Sequence, residues 1–175
     1  MELDKIFCGN CRAMEEVDDG SVQLIVTSPP YNVGKDYNYY EDSRPLLDYL
    51  EFLRLVWIES KRVLCRGGRI AINIANVNRK PYLPLHAFII QQMLDLGFMM
   101  RGEILWDKHS TAGVSTAWGS FARASNPVLR DVHEYIMVFS KDSWKLEETR
   151  GEHSGIENME FVEWTKSIWN RNGTA

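Results

Sequence analysis

Apolar and polar positions along this chain switch between two periods, and the switches mark its elements. Val22, Leu24, Ile25 and Val26 form a short apolar, β-favouring run, which predicts a buried parallel strand over 22–28. From Pro45 onward Leu46, Leu50, Leu53, Trp57 and Leu64 recur at helical spacing. Asp48, Glu51, Arg54, Glu59, Lys61 and Arg62 fill the opposite side. Pro45 suits the start of that helix and Gly67-Gly68 its end. The run R-I-A-I-N-I-A over 69–75 predicts the next strand, and 82–96 a second helix stopped by Gly97. Further strands are expected over 102–107 (G-E-I-L-W-D) and 133–141. Upstream, 4–8 reads as a short strand and Gly9-Asn10 as its turn, with Asn10 capping a brief helix to about Val17. The order β-α-β-α-β predicts one α/β domain over 1–175, a parallel sheet with helices packed on its faces.

Between these elements lie segments without periodicity. Residues 35–44 form a polar loop carrying Tyr37, Tyr39 and Tyr40, suited either to folding over a site or to a solvated connection. Residues 109–130 are rich in Ser, Thr, Ala, Gly and Asn, with Trp118, Phe121, Arg123 and Arg130 spread through them. A structureless run of roughly twenty residues inside a compact domain points to a functional loop. After a polar stretch, 156–169 carries an amphipathic Phe161, Trp164, Ile168 pattern.

Composition narrows the class. Among 175 residues, 45% are hydrophobic and 25% charged, the balance of a folded globular protein. No stretch approaches the roughly 18 apolar residues needed to span a bilayer, and the first five residues lack signal-peptide character, so no membrane and a cytoplasmic location are expected. The formal net charge is −4. Nucleic-acid binders are usually basic, so any contact with nucleic acid would have to come from a local basic face or from residues elsewhere. Three cysteines make no even disulfide framework. The C-x-x-C of Cys8 and Cys11 lacks the second ligand pair zinc would need, so no metal is expected.

The chemistry concentrates in Thr27-Ser28-Pro29-Pro30-Tyr31-Asn32. Two successive prolines lead the backbone out of the strand in a stiff, extended form with no N–H to donate. A hydroxyl, open carbonyls and an aromatic face then suit a flat group that carries an amine. The same residues also suit a plain Pro-Pro turn with Tyr31 as packing.

Ser28-Pro29-Pro30-Tyr31 after an apolar strand resembles the catalytic tetrapeptide, [DNS]-PP-[YFW], of the amino-directed DNA methyltransferases. The likeness extends to Ile6-Phe7-Cys8-Gly9-Asn10-Cys11, similar to the opening strand and turn of the β-type arrangement. It continues through Tyr31-Asn32-Val33-Gly34-Lys35, Arg66-Gly67-Gly68-Arg69 and His133-Glu134-Tyr135-Ile136-Met137-Val138-Phe139. The resemblance implies a Rossmann-like, S-adenosylmethionine-dependent methyltransferase sheet with helices on both faces. It implies transfer of a methyl group to the exocyclic nitrogen of a flipped base in double-stranded DNA. Ser28, Pro29, Pro30 and Tyr31 would be the catalytic residues, the Ser28 hydroxyl and Pro29 carbonyl accepting the amine hydrogens while Tyr31 stacks on the base. Gly9, Asn10, Thr27 and Ser28 would meet the cofactor. The 109–130 loop would border the base pocket, with Lys35, Lys108, Arg123 and Arg130 toward DNA phosphates. At Asn10 relatives usually carry Asp, so its cofactor role competes with simple capping.

The glycine cluster with which relatives approach the methionine part of the cofactor has no counterpart here. The resemblance therefore implies the catalytic half of a longer enzyme, completed by a missing C-terminal part or a second polypeptide. Serine in the first tetrapeptide position is commoner among cytosine-N4 enzymes and aspartate among adenine-N6 enzymes, so N4 is favoured. A non-catalytic DNA-binding subunit and a methyltransferase acting on RNA or a small amine are the other classes.

Overall fold

The computed structural model describes residues 4–38, 40–77, 81–108, 125, 131–146 and 155–170. Its strands are β1 (Val22–Thr27), β2 (Asp36–Tyr37), β3 (Tyr40–Glu41), β4 (Leu64–Ile74), β5 (Phe98–Asp107), β6 (His133–Lys141) and β7 (Ile168–Asn170). Its helices are α1 (Leu46–Val63), α2 (Leu85–Asp95) and α3 (Asn158–Trp164).

Five strands form one sheet in the order β1-β4-β6-β5-β7, and β2 pairs with β3 as a separate hairpin. The sheet is mixed, not parallel as the alternation of strands and helices suggests. β1 runs parallel to β4 and β5 to β7, while β6 lies antiparallel to both β4 and β5. The crossover through α2 leaves β4 and β5 parallel but one strand apart, and β6 returns between them in the opposite sense. Local periodicity fixes each strand but carries no information about which strand fills that gap.

Both long helices pack on one face. Ile70, Ile72 and Ile74 point to that face from β4, with Met137 and Phe139 directly opposite Ile72 and Ile70 on β6. Tyr49, Leu53 and Trp57 of α1 and Leu85, Ile89 and Met93 of α2 cover them, all essentially inaccessible to solvent. Each such side chain contributes roughly 1.5–3 kcal/mol on burial. Helices α1 and α2 thus cover one face, and α3 contributes no buried residue. Among the described residues β1 is one edge of the sheet, and it is not the buried strand its composition suggests. Ile25 joins the core, but Leu24 and Val26 on the other side are 59% and 73% exposed.

Other boundaries differ from the sequence reading too: β4 begins at Leu64 and β5 at Phe98, ahead of the expected 69 and 102, and α2 covers Leu85–Asp95 instead of 82–96. α1 ends at Val63, and Gly67 and Gly68 lie inside β4 instead of in a turn. Gly67 is needed there for another reason. Its φ is +75°, and a Cβ would lie 1.9 Å from the Lys145 carbonyl oxygen. Residues 4–8 form no strand, and no helix follows Asn10; Ile6 is fully exposed. The chain over 14–19 is instead tied to α1 by Arg62. Its guanidinium donates to the carbonyls of Met14 (2.9 Å) and Val17 (3.0 Å), to Glu59 and to Asp19. One planar side chain with five donors thereby satisfies carbonyls that a helix would have satisfied internally.

Candidate active site

The site lies at the carboxyl end of β1, on the sheet face away from α1 and α2. Thr27 pairs with Ile72 and is half-buried. The chain then leaves the sheet through Ser28, which is exposed, and through Pro29 and Pro30. Tyr49 anchors this turn from the core, its hydroxyl donating to the Pro30 carbonyl at 2.7 Å. The Pro29 carbonyl has no donor among the described residues.

Beyond the prolines, Asn32 takes up a left-handed conformation (φ +58°) and is buried. Asparagine tolerates that backbone better than most residues, and here its amide is also used. Its Nδ2 donates to the Arg44 carbonyl (2.8 Å) and its Oδ1 accepts from the Arg44 N–H (2.7 Å). Buried Asp42 accepts from the backbone N–H groups of Asn32 (2.8 Å), Val33 (3.0 Å) and Lys35 (3.0 Å). The segment after the tetrapeptide is therefore a loop stapled by one carboxylate, not a loose solvated connection.

Tyr31 turns back toward the sheet. Its hydroxyl donates to Glu134 Oε2 at 3.0 Å, lies 3.2 Å from Ser28 Oγ and accepts from Asn73 Nδ2 at 2.9 Å. Asn73 Nδ2 also donates to Glu134 Oε2 (2.7 Å), and Lys108 Nζ forms an ion pair with Glu134 Oε1. Register explains why these residues meet. Asn73 is opposite Ile136, two residues from Glu134, and Glu134 is opposite Trp106. With a side-chain period of two, Asn73, Glu134 and Trp106 all face away from Ile70, Ile72 and Ile74. Lys108 follows β5, its ammonium 5.3 Å from the Trp106 ring centroid.

Burial works against ionisation of Glu134. The hydrogen bonds from Lys108, Asn73 and Tyr31, with the Lys108 charge, outweigh it and hold the carboxyl below the ordinary glutamate value. Burial raises the Tyr31 hydroxyl to about 12, with the neighbouring Glu134 charge adding to the rise. The tyrosine is thus a neutral donor and the glutamate an anion across the working range. Asn73 Oδ1 is buried without a partner among the described residues, so this amide is held by its donor side alone.

Of the residues singled out from sequence, the fold joins Ser28 and Tyr31 to one another and adds Lys108 to the same cluster. Lys108 is therefore engaged with a carboxylate at the site. Gly9 and Asn10 are exposed and share no hydrogen bond with the tetrapeptide among the described residues. The Asn10 Oδ1 accepts instead from the backbone N–H and Nε of Arg12, each at 3.1 Å. Lys35 is exposed, its ammonium 5.3 Å from the Tyr37 ring centroid. Arg123, Arg130 and nearly all of the 109–130 loop lie outside the described residues. Cys8 and Cys11 are exposed thiols. No helix among the described residues is long and apolar enough to cross a membrane.

Three residues of the site were missed by sequence reasoning. Asn73 had a visible signal, a lone amide in an otherwise apolar strand. Glu134 opens an apolar strand and becomes informative only once its register with Asn73 is known. Asp42 had none.

A strand end that presents a hydroxyl and a carbonyl, backed by a buried anion, is an arrangement for accepting hydrogens from an amine. Comparison with known proteins gives the family. The family profile described as DNA methylase, for N6 and N4 enzymes, matches residues 22–175. The type II methyltransferase M.MjaVI of Methanocaldococcus jannaschii is 39% identical over 155 residues, covering 88% of this chain and 78% of its own. M.MthZI of Methanothermobacter thermautotrophicus is 28% identical, covering 94% of this chain but 54% of its own. Among solved structures, the DNA modification methylase TTHA0409 of Thermus thermophilus, in complex with S-adenosyl-L-methionine, superposes with a TM-score of 0.71 at 27% identity, over 93% of this chain and 66% of that one. The cytosine-N4-specific PvuII DNA methyltransferase shares the fold, with a TM-score of 0.67 at 14% identity, over 94% of this chain and 55% of that one. The chain belongs to the N6/N4 DNA methylase family. It spans between about half and four fifths of the length of these relatives.

Proposed function

We propose that this chain carries the base-binding part of a DNA amino-methyltransferase, moving a methyl group from S-adenosylmethionine to the exocyclic nitrogen of a flipped base, cytosine N4 in preference to adenine N6. The observation that carries this reading is the exposed Ser28 hydroxyl beside the unengaged Pro29 carbonyl at the end of β1.

An exocyclic amine is a poor nucleophile because its lone pair is delocalised into the ring. Ser28 Oγ and the Pro29 carbonyl accept its two hydrogens, fixing the nitrogen so that the lone pair leaves conjugation and points at the methyl group. The base reaches them only when flipped from the duplex. When bound, S-adenosylmethionine supplies an electrophilic methyl on a sulfonium. With the cofactor bound, the methyl group would pass to the nitrogen held by Ser28 and Pro29, and that nitrogen would shed one proton to water. No covalent enzyme intermediate is required, so none of the three cysteines has to act as a nucleophile. Thr27 and Ser28 at the strand end fit the cofactor's reacting side. Gly9 and Asn10 are assigned to its adenine, and Lys35, Lys108, Arg123 and Arg130 to double-stranded DNA. The choice of N4 rests on serine at position 28; adenine N6 is the second reading.

Transfer of labelled methyl groups to duplex DNA, followed by nucleoside analysis, tests the reaction and the base. N4-methylcytosine is expected; N6-methyladenine replaces the first reading by the second, and transfer to RNA alone removes both. Calorimetric titration of S-adenosylmethionine into this chain decides whether its 175 residues make a complete cofactor site. Micromolar binding means that they do, and no binding by the folded chain means that further residues or a second polypeptide complete it.

A further inference from the structure

We propose that Glu134 is a positioning residue for methyl transfer: its carboxylate fixes the direction of the hydrogen-bond chain Ser28–Tyr31–Glu134, so that the serine oxygen faces the base amine as an acceptor. The proposal rests on the reading of the site given above and deepens it.

The argument is a count of protons. An ionised carboxylate can only accept, and Glu134 takes donors from Tyr31, Asn73 and Lys108. Tyr31 has a single hydroxyl proton, and it is committed to Glu134 Oε2. The Tyr31 oxygen can then only accept, from Asn73 Nδ2 at 2.9 Å and from Ser28 at 3.2 Å. Ser28 therefore gives its one proton inward to Tyr31. Both of its remaining lone pairs face outward, at an exposed position at the end of β1. A serine with its proton directed outward would meet an amine hydrogen with a hydrogen and fail as an acceptor. The chain of bonds imposes orientation only; no proton has to travel along it.

Stability alone is a poor reason for this cluster. Glu134 is only 9% exposed, and Asn73 leaves its own Oδ1 buried and unpartnered among the described residues. Buried ion pairs of this kind are often no more stabilising than apolar side chains of the same volume. What the arrangement secures is polarity. A neutral amide at 134 can donate to the Tyr31 oxygen, which frees the tyrosine proton to point at Ser28 and turns the serine proton outward. Among the described residues, the titratable groups bonded to Glu134 are Tyr31, from the turn after β1, and Lys108, after β5.

Two measurements test this, one of them independent of catalysis. In protein labelled with 13C at the tyrosine ζ carbon, the Tyr31 resonance, assigned with Tyr31→Phe, is expected to shift on acidification as Glu134 protonates. The midpoint should lie below the ordinary glutamate value, and the shift should vanish in Glu134→Gln. A Tyr31 resonance indifferent to that substitution overturns the hydrogen-bond chain. In methyl transfer to duplex DNA, Glu134→Gln is expected to lower kcat at least tenfold with KM for DNA within twofold, and Glu134→Asp to recover part of the loss. Full activity in Glu134→Gln overturns the proposal and leaves the methyltransferase reading standing. A wild-type chain that transfers no methyl group when supplied with cofactor and DNA counts against that reading, while the resonance experiment still decides the chain. If Glu134→Gln does not fold, Tyr31→Phe removes the same link. The same fall in kcat is expected there, and wild-type kcat in Tyr31→Phe also overturns the proposal.

Discussion

The two faces of the central sheet are built from the same strands and follow different rules. On the face covered by α1 and α2, alternate residues of β4 and β6 are Ile70, Ile72, Ile74, Met137 and Phe139, and none retains measurable exposure. On the other face the alternate residues include Leu24 and Val26, largely exposed, together with Asn73 and Glu134, which are polar and bonded to one another. The first face holds the fold by area removed from water. The second holds a few groups in fixed orientations, and its worth lies in geometry. Substitutions should therefore separate the two by kind: folding energy on one side, catalytic rate on the other.

The sharpest break is expected at the centre of the covered face. Trp57 is wholly buried between α1 and the sheet, and Trp57→Ala should cost about 3–5 kcal/mol in urea unfolding, by lost transfer energy and the cavity left behind. A cost below about 1 kcal/mol would mean that α1 does not pack as described. Next comes Asp42, which serves the site's loop from below. Asp42→Ala removes the acceptor for three backbone N–H groups, of which that of Asn32 is buried. A loss of about 2 kcal/mol is expected, because Val33 and Lys35 are exposed and water can replace the carboxylate there. An Asp42→Ala protein with unchanged urea midpoint and unchanged methyl transfer would show the staple to be dispensable.

What could be read from sequence follows the same division. α1 is legible because Leu53 and Trp57 fall at one helical spacing with charges opposite. Its span differs from expectation only where Val63, not Gly67, ends it. β1, β4, β5 and β6 were legible as strands, since alternation is a local property; the short β2, β3 and β7 were not. Nor was the strand order: the insertion of β6 between β4 and β5, and the packing of both helices on one side, depend on contacts distant in sequence. The Ile6-Phe7-Cys8 run reads as a strand by composition, yet Ile6 is fully exposed, because apolar content without a partner strand does not make a ladder. At the site, the tetrapeptide announced Ser28 and Tyr31. It did not announce that Tyr31 would spend its hydroxyl on Glu134, because that contact spans 103 positions. A motif names the groups that meet the ligand; the groups that orient them come from other strands and wait on register.

Glu134 gives the comparison a pH axis. Its folded value lies below the reference of 4.5, so its contribution to stability is present above that reference and is lost as pH falls through the lower folded value. The difference in urea midpoint between wild type and Glu134→Gln should accordingly be greatest near neutrality and shrink on acidification below the reference. A difference that grew in acid would give the opposite sign and would mean that burial prevails over the three hydrogen bonds.

The smallest effect is expected on the open face itself. Leu24 and Val26 lie at the sheet edge with more than half their surface in water, so little hydrophobic energy is at stake in either. Leu24→Ser should change the unfolding free energy by no more than about 0.5 kcal/mol, the range of an exposed substitution, although leucine is as apolar as anything in the core. The contrast with Trp57→Ala would then be one of position alone. A loss above about 1 kcal/mol would mean that this face is covered in solution. Repeating the measurement over a range of protein concentrations would show by what, since coverage by a second copy makes the loss concentration-dependent and coverage by the chain's own residues does not.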